Sequence, residues 1–140
     1  MDQSEIKRKA EEIIHSNKLG TLATVKNGKP FSRYMTFFNN ELTLYSATDK
    51  DTHKVDDIEK NNNVHILLGF DEKGMNDSYL EIEGKATIQE STQLKEKIWN
   101  DDLKPWFEGP NDPNYVVLEI DPTEIRLMNT ESNHPEIIDM

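Results

Sequence analysis

The sequence predicts a mainly β fold, a β-barrel with peripheral helices, as one domain over residues 1–130 with a C-terminal tail over 131–140. Three observations carry that expectation. Short β-rich runs recur along the chain between Gly, Pro, Asn and Asp turn signals. One signal, Asn27-Gly28, is the strongest tight-hairpin dipeptide, because both central residues of that turn take positive φ. The longest run, Tyr79 to Gln89, alternates apolar and polar residues with the period of a strand that has one wet face. Many short antiparallel strands with two or three helices favour a closed or nearly closed barrel, which removes exposed edges.

The first segment is helical: Ile6, Ala10, Ile13 and Ile14 recur at helix spacing, ending near Ser16-Asn17. Leu19 to Val25 is the first strand, and the Asn27-Gly28 turn leads to a second over Phe31 to Phe38. Asn39-Asn40-Glu41 turns the chain into a third strand, Leu42 to Ala47, so that the three form an antiparallel meander. A polar loop, Thr48 to Thr52, precedes a short helix over His53 to Lys60. Val64 to Phe70 is a strand, 71–78 a loop, and Tyr79 to Gln89 the alternating strand. Ser91 caps a helix running to about Asn100, with Leu94 and Ile98 inward. After the loop LKPWFEGPNDPN come two strands, Tyr115 to Ile120 and Glu124 to Met128, and then a tail with no packed structure.

Composition narrows the function classes. The 140 residues carry a formal net charge of −11, and only 34% of them are hydrophobic, so burial shared with a second copy is attractive. The lysines are interleaved with Asp and Glu, which argues against a nucleic-acid binder. With no cysteine there is no disulfide, zinc thiolate or thiol nucleophile. The charged start is no signal peptide and no run approaches a membrane span, so a cytoplasmic protein is expected. His15, His53, His65 and His134 form no metal set, and no H-E-x-x-H, P-loop or G-x-G-x-x-G pattern occurs.

In so acidic a chain, any anionic ligand needs a few well-placed cations, and there are only three arginines: Arg8, Arg33 and Arg126. Arg33 shares a strand face with Phe31, Met35 and Phe37. A guanidinium among apolar neighbours needs an anion or carbonyls, and a salt bridge to one of the 27 acidic residues would serve as well. Further on, Ser46, Thr48 and Thr52 offer hydroxyls, and Lys50, His53 and Lys54 offer charge, at the start of a short helix where free N–H groups favour anions. The plain alternative there is an N-cap by Thr52 among surface lysines. Trp99, beside Ile98, is expected in the core; the polar loop around Trp106 and Phe107 makes Trp106 a site candidate.

Taken in order, LGTLATV, G-K-P-x-S-R-Y-M, L-x-L-Y-S-A-T and T-H-K-V-x-x-I-x-x-N-x-x-V resemble the pyridoxamine 5'-phosphate oxidase-like flavoproteins with the FMN-binding split β-barrel. The later G-K-A-T, I-W-N-x-x-L-K-P-W-F and D-P-N-Y-V-V-L-E-I resemble the general stress protein 26 branch of that family, so the resemblance runs to Met128. It implies FMN contacts from Arg33, Tyr34, Met35 and Thr36, then from Tyr45, Ser46, Ala47 and Thr48. Thr52 and Lys54, with His53, match the positions that grip the phosphate. It also implies a homodimer with FMN at the interface, and Trp106 is the candidate for a contact from the second subunit.

There are departures: Ile125 to Met128 stands where the branch often has an aromatic cluster, and the basic C-terminal segment of true pyridoxamine phosphate oxidases is lacking. That activity is therefore not expected. The leading expectation is an FMN-dependent oxidoreductase acting on an unidentified small redox substrate, which would approach beside Tyr34, Trp106 or Phe107. The alternatives are an FMN store or sensor without turnover and a cofactor-free interaction domain.

Overall fold

The structure is a computed structural model that describes residues 1–70, 77–130 and 134–140. Most of the loop expected at 71–78 lies outside the described residues. The elements are α1 (Gln3–Ser16), β1 (Leu19–Lys26), β2 (Lys29–Thr36), β3 (Phe38–Asn40), β4 (Thr43–Asp49), α2 (His53–Lys60), β5 (Asn63–Gly69), β6 (Tyr79–Gln89), α3 (Thr92–Ile98), β7 (Tyr115–Met128) and β8 (Glu136–Ile138).

One antiparallel sheet runs β2-β1-β5-β6-β7-β4-β3, with β8 added to β7. The Asn27-Gly28 turn forms as expected, with φ of 53° and 74°. The sheet curls until its ends approach: Ser46 Oγ on β4 donates to the Thr36 carbonyl on β2 at 2.7 Å. The result is a barrel split between β2 and β4.

That closure corrects the expected meander. The second strand stops at Thr36, the chain turns at Phe37, and a separate short strand, β3, pairs with β4 at the far end of the sheet. Phe37 drives the break: its ring is 1% exposed, and its N–H donates to the Lys18 carbonyl at 2.6 Å. Burying that ring pins the corner where the chain crosses from one sheet end to the other.

Two further expectations are corrected. The last two strands are one, β7, which runs through Pro122. Proline cannot donate to a ladder, and a register shift at Glu83/Gly84 absorbs it. Gly84 permits the shift, since a Cβ there would lie 2.9 Å from both the Asp121 carbonyl oxygen and Ile120 Cγ2. The expected unpacked tail instead carries β8, which buries Ile138. The first turn of α1 holds it: Gln3 Nε2 donates to the Ile137 carbonyl at 3.0 Å, and the Asp139 N–H donates to Gln3 Oε1 at 2.8 Å.

The main core is aliphatic apart from Phe37. Ile6, Ala10 and Ile14 of α1 pack with Leu22, Ile66, Leu80, Ile82, Leu118 and Ile125 from the strands. The alternation read in Tyr79 to Gln89 holds, with Leu80, Ile82, Gly84 and Ala86 buried. A second, aromatic cluster lies outside the barrel, where Ile98, Leu103, Phe107, Tyr115 and Val117 pack beneath Phe38, Tyr45 and Trp99. Trp99 thus packs as expected, edge-on to Tyr115 at 5.7 Å.

Candidate functional site

The split between β2 and β4 opens into a cavity of about 390 Å³. Tyr34, Met35 and Thr36 form one wall and Ala47, Thr48 and Asp49 the other. Thr52 and Lys54 close it at the start of α2, and Leu103, Trp106 and Phe107 reach over from the loop after α3. Its size falls within the ~300–1,000 Å³ usual for small-molecule sites.

Local structure sets each wall. The aromatic cluster beneath the loop holds Phe107 against Tyr115, with ring centroids 5.2 Å apart. The Tyr115 hydroxyl donates to the Lys95 carbonyl at 2.8 Å, and burial pushes its pKa up to about 12. With Phe107 fixed, the N–H groups of Trp106 and Phe107 both donate to the Leu103 carbonyl, and Trp106 stands out, 73% exposed, at the cavity mouth. Tyr34 is 75% exposed on the facing wall, beside exposed Leu19.

The charged end is unusual for so acidic a molecule. Lys54 Nζ donates to Thr48 Oγ1 at 2.6 Å and to Thr52 Oγ1 at 3.3 Å. Arg33 Nη1 donates to Thr24 Oγ1 at 2.8 Å and to the Leu22 carbonyl at 3.2 Å. Among the described residues neither cation has a carboxylate within ion-pair distance. Burial lowers the pKa of Lys54, and neighbouring Arg33 lowers it further, against an opposing pull from Asp49. Burial likewise lowers the pKa of Arg33, opposed by Asp57. Two partly desolvated cations close together, bonded only to neutral oxygens, raise each other's free energy until an anion arrives. Thr52 does occupy the N-cap position of α2, as the plain alternative has it, but its hydroxyl makes no capping bond and donates to the Asp49 carbonyl at 2.9 Å.

Eight of the twelve sequence-derived candidates line the cavity: Tyr34, Met35, Thr36, Ala47, Thr48, Thr52, Lys54 and Trp106. Arg33 does not line it, but lies near enough to Lys54 to bear on its charge. Tyr45 packs into the aromatic cluster, Ser46 is buried in its tie to Thr36, and His53 is exposed at the start of α2 outside the lining. Trp106 lines the cavity of its own chain.

Sequence reasoning missed Leu19, Phe38, Asp49 and Leu103. Asp49 was detectable: extending β4 two residues beyond Ala47 puts it on the same face.

Comparison with known proteins agrees with this architecture. The family described as Pyridoxamine 5'-phosphate oxidase matches residues 6–129. The chain is 51% identical over 140 residues to General stress protein 26 of Bacillus subtilis (strain 168), covering 100% of both chains. The crystal structure of General Stress Protein 26 from Bacillus anthracis str. Sterne superposes with a TM-score of 0.86 at 41% identity, over 97% of this chain and 99% of that one. A putative pyridoxamine 5'-phosphate oxidase from Listeria innocua superposes with a TM-score of 0.80 at 35% identity, over 89% and 99%.

Proposed function

The chain belongs to the pyridoxamine 5'-phosphate oxidase family, in its general stress protein 26 branch, and on that premise we propose that the cavity binds FMN and that the protein is a flavin-dependent oxidoreductase working as a homodimer. The observation that carries the reading is the pair Arg33 and Lys54, two cations held by neutral oxygens in a molecule of net charge −11. A phosphate monoester is the complementary group, doubly charged near neutrality and rich in acceptors.

The residues present fit the rest of the cofactor. Thr48 and Thr52 place hydroxyls beside Lys54, where ribityl or phosphate oxygens would lie. Trp106 and Tyr34 offer aromatic faces at the mouth, which suit a planar ring. Leu19, Tyr34 and Trp106 leave much apolar surface open there, a patch that a second subunit would cover.

Bound FMN would supply the redox step, and the chain supplies orientation, charge balance and exclusion of water. Lys54, with Arg33 behind it, would hold the phosphate, the β2 and β4 walls would flank the rest of the cofactor, and Trp106 would exclude water at the mouth. The second reading, an FMN store or sensor, uses the same grip by Lys54 and Arg33 and differs only in the absence of turnover.

The visible spectrum of the purified dimer tests the reading. A flavin spectrum, or its appearance on adding FMN, is expected. A colourless protein that ignores FMN would contradict it. Steady-state oxidation of NADH or NADPH with a panel of acceptors then separates turnover from storage.

A further inference from the structure

Among the described residues the buried polar side chains are Thr24, Ser46, Thr48 and Asp57, in a molecule whose main core is otherwise apolar. Three of them bond to the candidate site's own residues. Thr48 accepts from Lys54, Ser46 ties β4 to the end of β2, and Thr24 accepts from Arg33. Asp57 sits on α2 one turn beyond Lys54, and its carboxylate opposes the lowering of the Arg33 pKa by burial. Thr24 and Asp57 are absent from the cavity lining. We infer that Thr24 is a positioning residue: its buried hydroxyl fixes the Arg33 guanidinium beside Lys54 so that the two cations meet one phosphate.

The argument is one of cost. A hydroxyl 1% exposed loses its hydration, and valine would fill the same space without that loss. Among the described residues the hydroxyl is offset by Arg33, at 2.8 Å. Arg33 spends Nη1 on Thr24 and the Leu22 carbonyl. Among the described residues its Nε and Nη2 donors have no partner in the chain, which leaves them for a ligand. A long side chain carries much rotamer freedom, so fixing one nitrogen to the barrel wall removes entropy before the ligand binds.

The inference rests on the phosphate reading of the cavity, and the test separates the two. FMN and riboflavin are titrated into flavin-free full-length protein carrying Thr24→Val, Thr24→Ser or Arg33→Ala, and into the Thr24→Val/Arg33→Ala double variant. Thr24→Val is expected to weaken FMN about three- to tenfold while leaving riboflavin unchanged, the worth of one ordinary hydrogen bond, because the hydroxyl acts through Arg33 and not on the ligand itself. Thr24→Ser restores FMN binding, and Thr24→Val adds nothing once Arg33 is gone. If the valine variant does not fold, Thr24→Ala takes its place. Full FMN affinity without the hydroxyl, or equal loss of FMN and riboflavin, overturns the positioning role alone. If Arg33→Ala leaves the FMN-to-riboflavin ratio untouched, the phosphate reading falls and this inference falls with it.

Discussion

Arg126 and Arg33 stand on strands of one sheet, yet their surroundings are opposite. Arg126 is ringed by carboxylates: Glu83 at 2.7 Å, Glu81 at 3.7 Å, and Glu124 closer still. Arg33 meets a hydroxyl and a carbonyl, and its cationic neighbour Lys54 meets two hydroxyls. The chain has 27 acidic residues, so this is not for want of carboxylates. Where an arginine serves only the sheet, acidic neighbours neutralise it. Around the half-buried Arg33 and Lys54, Asp57 and Asp49 act only from beyond ion-pair distance, and on the proposed reading the neutralising charge is left to a ligand.

The largest expected effect breaks that comparison at its strong end. Arg33→Ala and Lys54→Ala should each weaken FMN by about 1.5–3 kcal/mol, roughly ten- to a hundred-fold, as measured by flavin fluorescence titration. Arg126→Ala should leave the same titration within about twofold of wild type, because its partners are internal. Next comes the mouth of the cavity. Trp106→Ala should cost about 0.5–1.5 kcal/mol of FMN affinity, the usual worth of an aromatic contact. Thermal unfolding reads the reverse pattern for Arg126→Ala: about 1 kcal/mol of stability lost, a few degrees in Tm, as the facing glutamates lose their shared counter-ion.

The smallest effect is one of pH. The pKa of Lys54 is lowered in the free protein, by burial and then by Arg33. A bound phosphate would raise it again, so binding takes up a proton. FMN affinity should then be full below the lowered value and fall as pH rises through it. Calorimetry in buffers of different ionisation enthalpy would detect the uptake. Affinity that rises across the alkaline range would contradict it.

The fold was legible where the signal is local. The α1 stripe, the Asn27-Gly28 hairpin, α2 and the alternation of β6 each follow from neighbours in sequence. The errors lie where distant segments decide. The break at Phe37 depends on the sheet closing on itself, β7 stays whole because Gly84 on another strand absorbs Pro122, and β8 exists because Gln3 holds it. The candidate site divides the same way. Thr48, Thr52 and Lys54 lie within one turn of chain and were visible together. Leu19, Leu103 and Thr24 reach the region through strand pairing and loop packing, and nothing in their own neighbourhoods marks them.

The contrast between the two arginines is tested most directly by titrating flavin-free protein with FMN and with riboflavin, which differ only in the phosphate. FMN should bind at least about tenfold more tightly, in keeping with one charge-assisted contact or more. That preference should collapse in Lys54→Ala and persist in Arg126→Ala. Equal affinity for the two flavins, or a preference that survives the loss of both Arg33 and Lys54, would contradict the account.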